Sequence, residues 1–225
     1  MLIPRYYFAQ DYAELHDYFL TIPHRRRMIH KGEFLWKPGE FIEHVYYIES
    51  GISQTLVEHE DGYQKILFFH SSGTVFPGCH ESLFKIEKSI VTKALSDMEV
   101  LEFTRTQFHQ MIQENIRLNA IVLESYAMYI NLLIYETAHQ EYNNSFIKLC
   151  NLLYLFSQNS PEGRTLRISL SQEDIANILT INRVNAAKNL SRLRNEGIIR
   201  SHRKWIEIID IAALEAYCSM ETRLS

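Results

Sequence analysis

Arg183, Asn185, Lys188 and Arg192 recur along one short segment whose alternate positions, Ala186, Leu190 and Leu193, are apolar. At helical spacing this places guanidinium, amide and ammonium groups, with Asn189 among them, on one polar face. Arg and Lys suit guanine edges, Asn suits adenine, and Val184 suits a thymine methyl, so such a helix has the chemistry to read a major groove. The preceding segment supplies its support. Ser171 stands before Gln172, Glu173 and Asp174, an N-cap with acids in the first turn. Ile175, Ile178 and Leu179 form the inner face of a short helix, and small Ala176 lets a second helix cross closely. Thr180-Ile181-Asn182 is a turn, with Asn182 as the next cap. Gly197 stops the second helix, Ile198-Ile199 begins a strand, and Arg200-Ser201-His202-Arg203-Lys204-Trp205 offers cations to phosphates. The pattern predicts a winged helix-turn-helix binding double-stranded DNA. The contact residues expected are Ser171, Gln172, Arg183, Val184, Asn185, Lys188, Arg192, His202, Arg203 and Lys204. The bland alternative is a helix pair at a domain end with a solvated basic face.

Charge fits the first reading. The chain of 225 residues carries −4 overall, yet residues 164–204 hold 9 Lys/Arg against 3 Asp/Glu. A positive stretch on an acidic body suits local attraction to phosphate. Catalytic patterns are missing: the ten histidines form no HxH or HExxH, and no GxxxxGK, GxGxxG or GxSxG occurs. An enzyme on a cupin-like barrel, or an interaction module with an idle reader, are the readings from other classes. Cys79, Cys150 and Cys218 are scattered, with no CxxC pair, which argues against a disulfide framework or a zinc ribbon and for a reducing compartment. No metal site is expected. The N-terminus meets Asp11 and Glu14 before any long apolar run, unlike a signal peptide, and no run approaches the ~20 apolar residues of a membrane span. The expectation is a cytoplasmic protein that does not enter the membrane.

The elements that must position the reader follow from punctuation. Residues from about 5 to 22 carry aromatic and aliphatic residues at helical spacing and predict a short N-terminal helix ending near Pro23. Six of the eight glycines lie between Gly32 and Gly78, separating short β-branched and aromatic runs such as 45–48, 52–57 and 66–69. Such spacing predicts a sandwich or barrel, with a hairpin at Asp61-Gly62. From Thr106 to about Tyr142 there is no Gly or Pro. Two apolar stripes, Leu118-Ile121-Ser125-Met128-Leu132-Tyr135 and Val122-Tyr126-Tyr129-Leu133, predict a helix over 117–142, about 39 Å long at ~1.5 Å per residue. Two stripes suit burial on two sides, either within one chain or against a second copy. Ser145 is placed as the cap of the next helix, and Ser160-Pro161-Glu162-Gly163 as a turn. The predicted domains are 1–105, a β-barrel; 106–143, a long helix; and 144–225, the winged helix-turn-helix.

The ordered set Lys31-Gly32-Glu33, Pro38-Gly39-Glu40, Tyr46-Tyr47-Ile48-Glu49-Ser50-Gly51, Asp61-Gly62, then Leu170-Ser171-Gln172-Glu173-Asp174-Ile175-Ala176 and Leu190-Ser191-Arg192-Leu193 with Gly197-Ile198-Ile199, resembles the cAMP receptor protein and FNR superfamily over nearly the whole chain. The resemblance implies an α+β fold: a double-stranded β-helix (jelly-roll) that makes 1–105 the effector-sensing domain, a long dimerisation helix over 106–143 and a C-terminal winged helix-turn-helix. It implies a homodimeric, effector-responsive transcription regulator on a near-palindromic operator, with RNA polymerase as a further partner. In cAMP-binding members a Gly-Glu and a later Arg-Ser hold the ligand; here Gly78-Cys79 and Lys88-Ser89 stand there, which disfavours cAMP. Three dispersed cysteines do not make the four-cysteine iron–sulfur site of oxygen-sensing members. By the family pattern the effector pocket lies between barrel and long helix, near Phe69, Tyr126, Tyr129 and Leu133, with Gly78, Cys79, Lys88 and Ser89. An aromatic lining with one cation resembles the halorespiration-regulator branch and implies a small aromatic acid; the same rings also read as plain core. A haem-based gas or redox sensor is the alternative, with His80, or Cys79 as thiolate, as ligand.

Overall fold

The computed structural model describes residues 2–78, 80, 82, 84–158, 167–202 and 205–224. Cys79, Arg203, Lys204 and the predicted turn at 160–163 lie outside the described residues. The chain divides into two compact units, Tyr7–Tyr129 and Met1–Tyr6 with Ile130–Ser225.

The first unit opens with β1 (Tyr7–Phe8), a 3-10 turn (Ala13–Leu15) and α1 (His16–Thr21). Then come β2 (Arg25–Ile29), β3 (Phe34–Trp36), β4 (His44–Ser50), β5 (Ile52–Glu58), β6 (Gln64–Ser71) and β7 (Val75–Phe76). A 3-10 turn (Lys85–Ser89), β8 (Ile90–Ala94), β9 (Met98–Thr104) and α2 (Arg105–Glu114) lead into α3 (Ile116–Tyr142). The strands form a five-stranded sheet, β1-β6-β5-β8-β3, and a four-stranded one, β2-β9-β4-β7. The two sheets meet face to face: His70 of one lies 4.7 Å from Phe76 of the other, ring to ring. This is the jelly-roll layout expected from the glycine-punctuated runs. The β5–β6 hairpin turns through His59–Tyr63, where His59 N–H donates to Tyr63 O at 2.8 Å and Gly62 takes φ +83°. Phe19, Val45, Tyr47, Phe103, Phe108 and Leu118 form one core cluster that packs α1, α2 and the start of α3 onto β4 and β9.

Three local expectations change. The N-terminal helix is confined to His16–Thr21, because Tyr7–Phe8 pairs in parallel with β6 and Gln10 takes φ +63°. Gln10 N–H and Tyr12 N–H then donate to Ser72 O and Gly73 O, so the sheet edge takes the backbone groups a helix would have used. The long helical region breaks at Asn115, whose side chain accepts from Arg117 N–H and Leu118 N–H at 3.0 and 3.2 Å and starts α3 afresh. Finally, α3 is long and apolar enough by length and composition to cross a membrane, against the expectation that no run approaches a membrane span.

The second unit holds the end of α3, then α4 (Ser145–Gln158), β10 (Arg167–Ile168), α5 (Gln172–Leu179) and α6 (Arg183–Asn195). β11 (Ile199–Ser201), β12 (Ile206–Ile208) and α7 (Ile211–Ala216) follow, and the strands order as β10-β12-β11. Asn144, rather than Ser145, caps α4, accepting from Phe146 N–H at 3.0 Å and Ile147 N–H at 3.1 Å. Tyr135 Oη pairs with Thr222 Oγ1 at 2.8 Å, and Asn151 donates to Ser219 Oγ at 3.0 Å, tying the chain's end onto α3 and α4.

Gly51 sits at φ +92°, and a Cβ there would collide with the Asp97 carbonyl and Met98. Gly62 also has positive φ but faces open space. Gly51→Ala is expected to cost roughly 2–4 kcal/mol and Gly62→Ala about 1 kcal/mol, read from urea-unfolding midpoints.

Candidate functional site

The reader is built from helix ends. Ser171 Oγ accepts from Asp174 N–H at 3.1 Å and Asp174 Oδ2 accepts from Ser171 N–H at 2.8 Å, a reciprocal capping box. α5 ends at Thr180 in the left-handed region, φ 52° and ψ 46°, which turns the chain sharply without a glycine. Asn182 Oδ1 then accepts from Asn185 N–H at 2.8 Å and starts α6. Ala186, Leu190 and Leu193 on α6 and Ile175, Ala176 and Ile178 on α5 are all buried, and the two helices pack against each other, as the small residues imply. This leaves Arg183, Val184, Asn185 and Lys188 exposed together at the front of α6, with Val184 76% exposed.

The wing folds toward that front. Ser171, Gln172, Arg183 and His202 line a single cleft of about 350 Å³ with Glu173 and Ser201. His202 stacks on Trp205, with ring centroids 3.6 Å apart and planes 11° from parallel. Glu207 on β12 lies 3.2 Å from His202 Nε2 and 3.5 Å from Arg200 Nη1. Sequence reasoning missed this anion, because only strand register places residue 207 opposite residue 200.

Two α6 assignments change. Arg192 stacks its guanidinium on Phe146 at 3.8 Å, and its Nε donates to Glu196 Oε1 at 2.9 Å. That bond holds the Glu196 carboxyl below the usual carboxylate range. Arg192 therefore braces α6 on Phe146 of α4, with the Tyr217 ring just beyond α7 at 5.4 Å, rather than standing with the front-face cations. Asn189 is buried and donates to Ser145 Oγ at 3.0 Å. A strict 3.6-residue wheel puts both near the polar face; the second helix packed behind α6 takes them away from it.

The expected effector residues do not gather as one set. Gly78, Tyr126 and Tyr129 line one crevice in the first unit with Val122 and Ser125, but its free volume is only about 20 Å³, room for about one water. A Cβ at Gly78 would collide with Tyr126 Oη. Phe69 is buried, yet strand alternation sets it on the opposite side of β6 from Phe68 and His70. Lys88 is exposed with its ammonium over the Phe41 ring, and Ser89 lines an outer cleft beside the β5–β6 hairpin. Leu133 is half exposed in the second unit. The lone cation expected for an aromatic acid is thus not brought to the rings. His80 has both ring nitrogens engaged, with Ser82 O at 2.6 Å and Glu87 at 3.1 Å.

The residue that sequence reasoning missed is His70. It is fully buried among Phe8, Phe68, Phe76 and Tyr129, with Nε2 2.9 Å from Tyr129 Oη. Its Nδ1 has no hydrogen-bond partner, and neither has Oγ of Ser53, its register partner on β5. Each such atom costs roughly 1–3 kcal/mol when left unfilled. Burial pushes the His70 imidazole down to about 3. No spacing rule marks a lone histidine within an Ile-Leu-Phe-Phe-His run as anything but core.

Comparison with known proteins agrees with both halves. Residues 26–115 match the cyclic nucleotide-binding domain family and residues 147–217 the Crp-like helix-turn-helix domain family. The chain belongs to the CRP/FNR superfamily. It is 28% identical over 207 residues to the fumarate and nitrate reduction regulatory protein of Salmonella typhi, covering 89% of this chain and 81% of that one. It is 26% identical to electron transport regulator A of Shewanella oneidensis, covering 90% and 80%. FixK2 from Bradyrhizobium japonicum superposes with a TM-score of 0.74 at 18% identity, over 88% of this chain and 98% of that one. Of the CRP/FNR layout, this chain has the jelly roll, the long helix and the capped reader.

Arg183→Ala should lower affinity for the cognate operator about tenfold to a hundredfold, from the ~1–3 kcal/mol of a base contact, whereas Arg192→Ala should lower the melting temperature; fluorescence anisotropy and thermal unfolding separate the two. The His70 shift gives a pH prediction. Its folded value lies below the unfolded one near 6.5, so the unfolded chain binds the extra proton between about 6.5 and 3 and stability falls as pH drops through that window. Wild type should lose about 2 kcal/mol more than His70→Phe between pH 6.5 and 5, measured by urea unfolding.

Proposed function

We propose that this protein is a homodimeric transcription regulator that grips a near-palindromic operator with α6 and is switched by a small organic effector in the jelly-roll unit. The observation that carries the reading is the exposed front of α6, where Arg183, Asn185 and Lys188 stand clear beside a cleft shared with the wing. Phosphates would be met by Gln172, by the Ser171 cap and by the wing cations.

Dimerisation is supported by α3. Leu123, Ile130 and Ile134 remain 64%, 55% and 65% exposed on one side of it, at steps of seven and four. A second copy of the same helix would cover that stripe, the spacing of a coiled-coil seam. We read α3 as a dimer helix rather than a membrane span, since Arg117, Glu124, Glu136 and Glu141 interrupt it on several sides. Two recognition helices would then address half-sites one turn of DNA apart, roughly 34–36 Å. The protein would act in the cytoplasm, where its operator lies, and would meet RNA polymerase there.

The effector would work through population shift, binding one arrangement of the readers better than the other. The aromatic residues of the jelly-roll interior support an aromatic compound, while the placement of Lys88 over Phe41 speaks against an acid.

The test is Leu123→Glu with Ile130→Glu. Light scattering should show the wild type as a dimer and this variant as a monomer. Operator affinity should fall at least a hundredfold. Wild-type affinity should drop steeply as salt rises, the signature of phosphate contacts. A monomeric wild type, or no operator binding at low salt, overturns the reading.

A further inference from the structure

The last turn of α3 carries a histidine whose hydrogen-bonding role is fixed by the chain around it. His139 and Asn151 of α4 are both buried. Asn151 Oδ1 accepts from Ser219 N–H at 3.0 Å, and its Nδ2 donates to Ser219 Oγ at 3.0 Å. A backbone N–H only donates, so this amide cannot be turned over. The same Nδ2 lies 3.2 Å from His139 Nδ1, and Asn143 Nδ2 points at that ring nitrogen too. His139 Nδ1 is therefore an acceptor, and the ring is neutral with its proton on Nε2.

Short ties lead from this histidine to the recognition helix. Asn143 is the first residue after α3, and two residues on Ser145 Oγ accepts from Asn189 of α6 at 3.0 Å. Gln140, next to His139, donates to the Leu179 carbonyl at the end of α5 at 3.1 Å and receives Lys148 Nζ of α4 on its Oε1 at 2.9 Å. The His139 ring lies against Tyr135, whose Oη meets Thr222 at 2.8 Å. Helix α4, both reader helices and the chain's final turn thus meet at residues 139–145.

We propose that His139 is a positioning residue for the recognition helix and a proton-released pin: the neutral ring holds the α3–α4 connection and the chain's end together, and its protonation loosens them and lowers operator affinity. An imidazolium carries N–H on both nitrogens. Its Nδ1–H would face the Asn151 amide donor against donor, in a buried site. Charged groups reach the ring from three elements. Burial weighs most and holds the imidazole below its usual value; Glu221 of the final 3-10 turn (Met220–Thr222) and Glu136 of α3 favour the cation, and Lys148 of α4 opposes it. Glu136 is already engaged by Tyr6 Oη, and Lys148 by Gln140. The pinned state thus sheds a proton that the loosened one binds. Pinning is complete above the unperturbed value near 6.5 and is lost as pH falls below it. His202 on the wing acts with the opposite sign, because a charge gained there adds attraction to phosphate. The inference rests on the regulator reading only in taking operator affinity as its output.

The experiment is fluorescence anisotropy of the full-length protein on a duplex selected from a random pool at pH 7.5, repeated down to pH 5.5 at constant ionic strength, with heteronuclear NMR of the histidine rings on the same samples. Wild-type affinity should fall roughly fivefold or more across that range. His139→Gln, whose Oε1 still accepts from Asn151, should vary less than about twofold. Asn151→Asp keeps an acceptor for Ser219 N–H and offers a carboxylate to the imidazolium, so its loss of affinity should begin about one pH unit higher. NMR should show His139 with its proton on Nε2 at pH 7.5 and titrating below 6.5. A histidine with only a structural role would not shift the pH profile when the residue facing it changes. If Asn151→Asp folds poorly by circular dichroism, wild type and His139→Gln carry the comparison. A proton on Nδ1, a titration at or above 6.5, affinity that holds or rises on acidification, or an acid loss as steep in His139→Gln as in wild type overturns the proposal; the last would assign the loss to groups such as His70. Absence of binding to any selected duplex at low salt sinks the regulator reading, and the NMR arm still decides the state of His139.

Discussion

At ~1.5 Å per residue the 27 residues of α3 run about 40 Å, and one helix must satisfy different neighbours along that length. In its first half Leu118, Val122 and Ser125 are buried in the jelly-roll unit; in its second, Leu132, Tyr135 and His139 are buried in the other. Helical periodicity then forces Leu123, Ile130 and Ile134 to the remaining side, where one chain has nothing to cover them. The polar groups on α3 are held just as firmly. Arg117 donates to Glu14, Tyr129 meets His70, Tyr135 meets Thr222, and Asn151 donates to His139.

The reader obeys a different economy. Its helices have 8 and 13 residues, so their ends weigh as much as their middles. Capping by Ser171 with Asp174 and by Asn182 fills those ends locally. The basic residues divide accordingly. Those at the front of α6 stay free of the fold, while Arg192 is drawn onto Phe146 and Glu196, and Arg200 and His202 share Glu207. Within the described part of the wing, one carboxylate, Glu207, faces both Arg200 and His202.

The sensor interior runs against stability. Burying Ser53 and His70 without full hydrogen bonding is costly, and an apolar pair of similar size would pack the sandwich better. Here the conflict sits under Tyr129, at the point where α3 touches β6.

Much of this was legible in the residues themselves. Gly62 after Asp61 sets the β5–β6 turn, and the Ser171 and Asn182 caps set the reader, because turns and caps are decided by atoms a few residues apart. The jelly roll followed from glycine spacing, and the helix over 117–142 from its lack of breakers. What the chain alone did not reveal depends on contacts between distant segments. Tyr7 and Phe8 left the expected N-terminal helix for the edge of β6, because the sheet offered backbone partners 62 residues away. The polar-face assignment of Arg192 and Asn189 gave way to packing against α4, and Glu207 came opposite the wing cations only through strand register. Phe69 yielded to Phe68 and His70 because a single step along a strand reverses the side faced. Local chemistry thus determined where elements start, stop and turn; tertiary packing decided which side chains stayed free to bind, since burial and partnership exist only once separate elements meet.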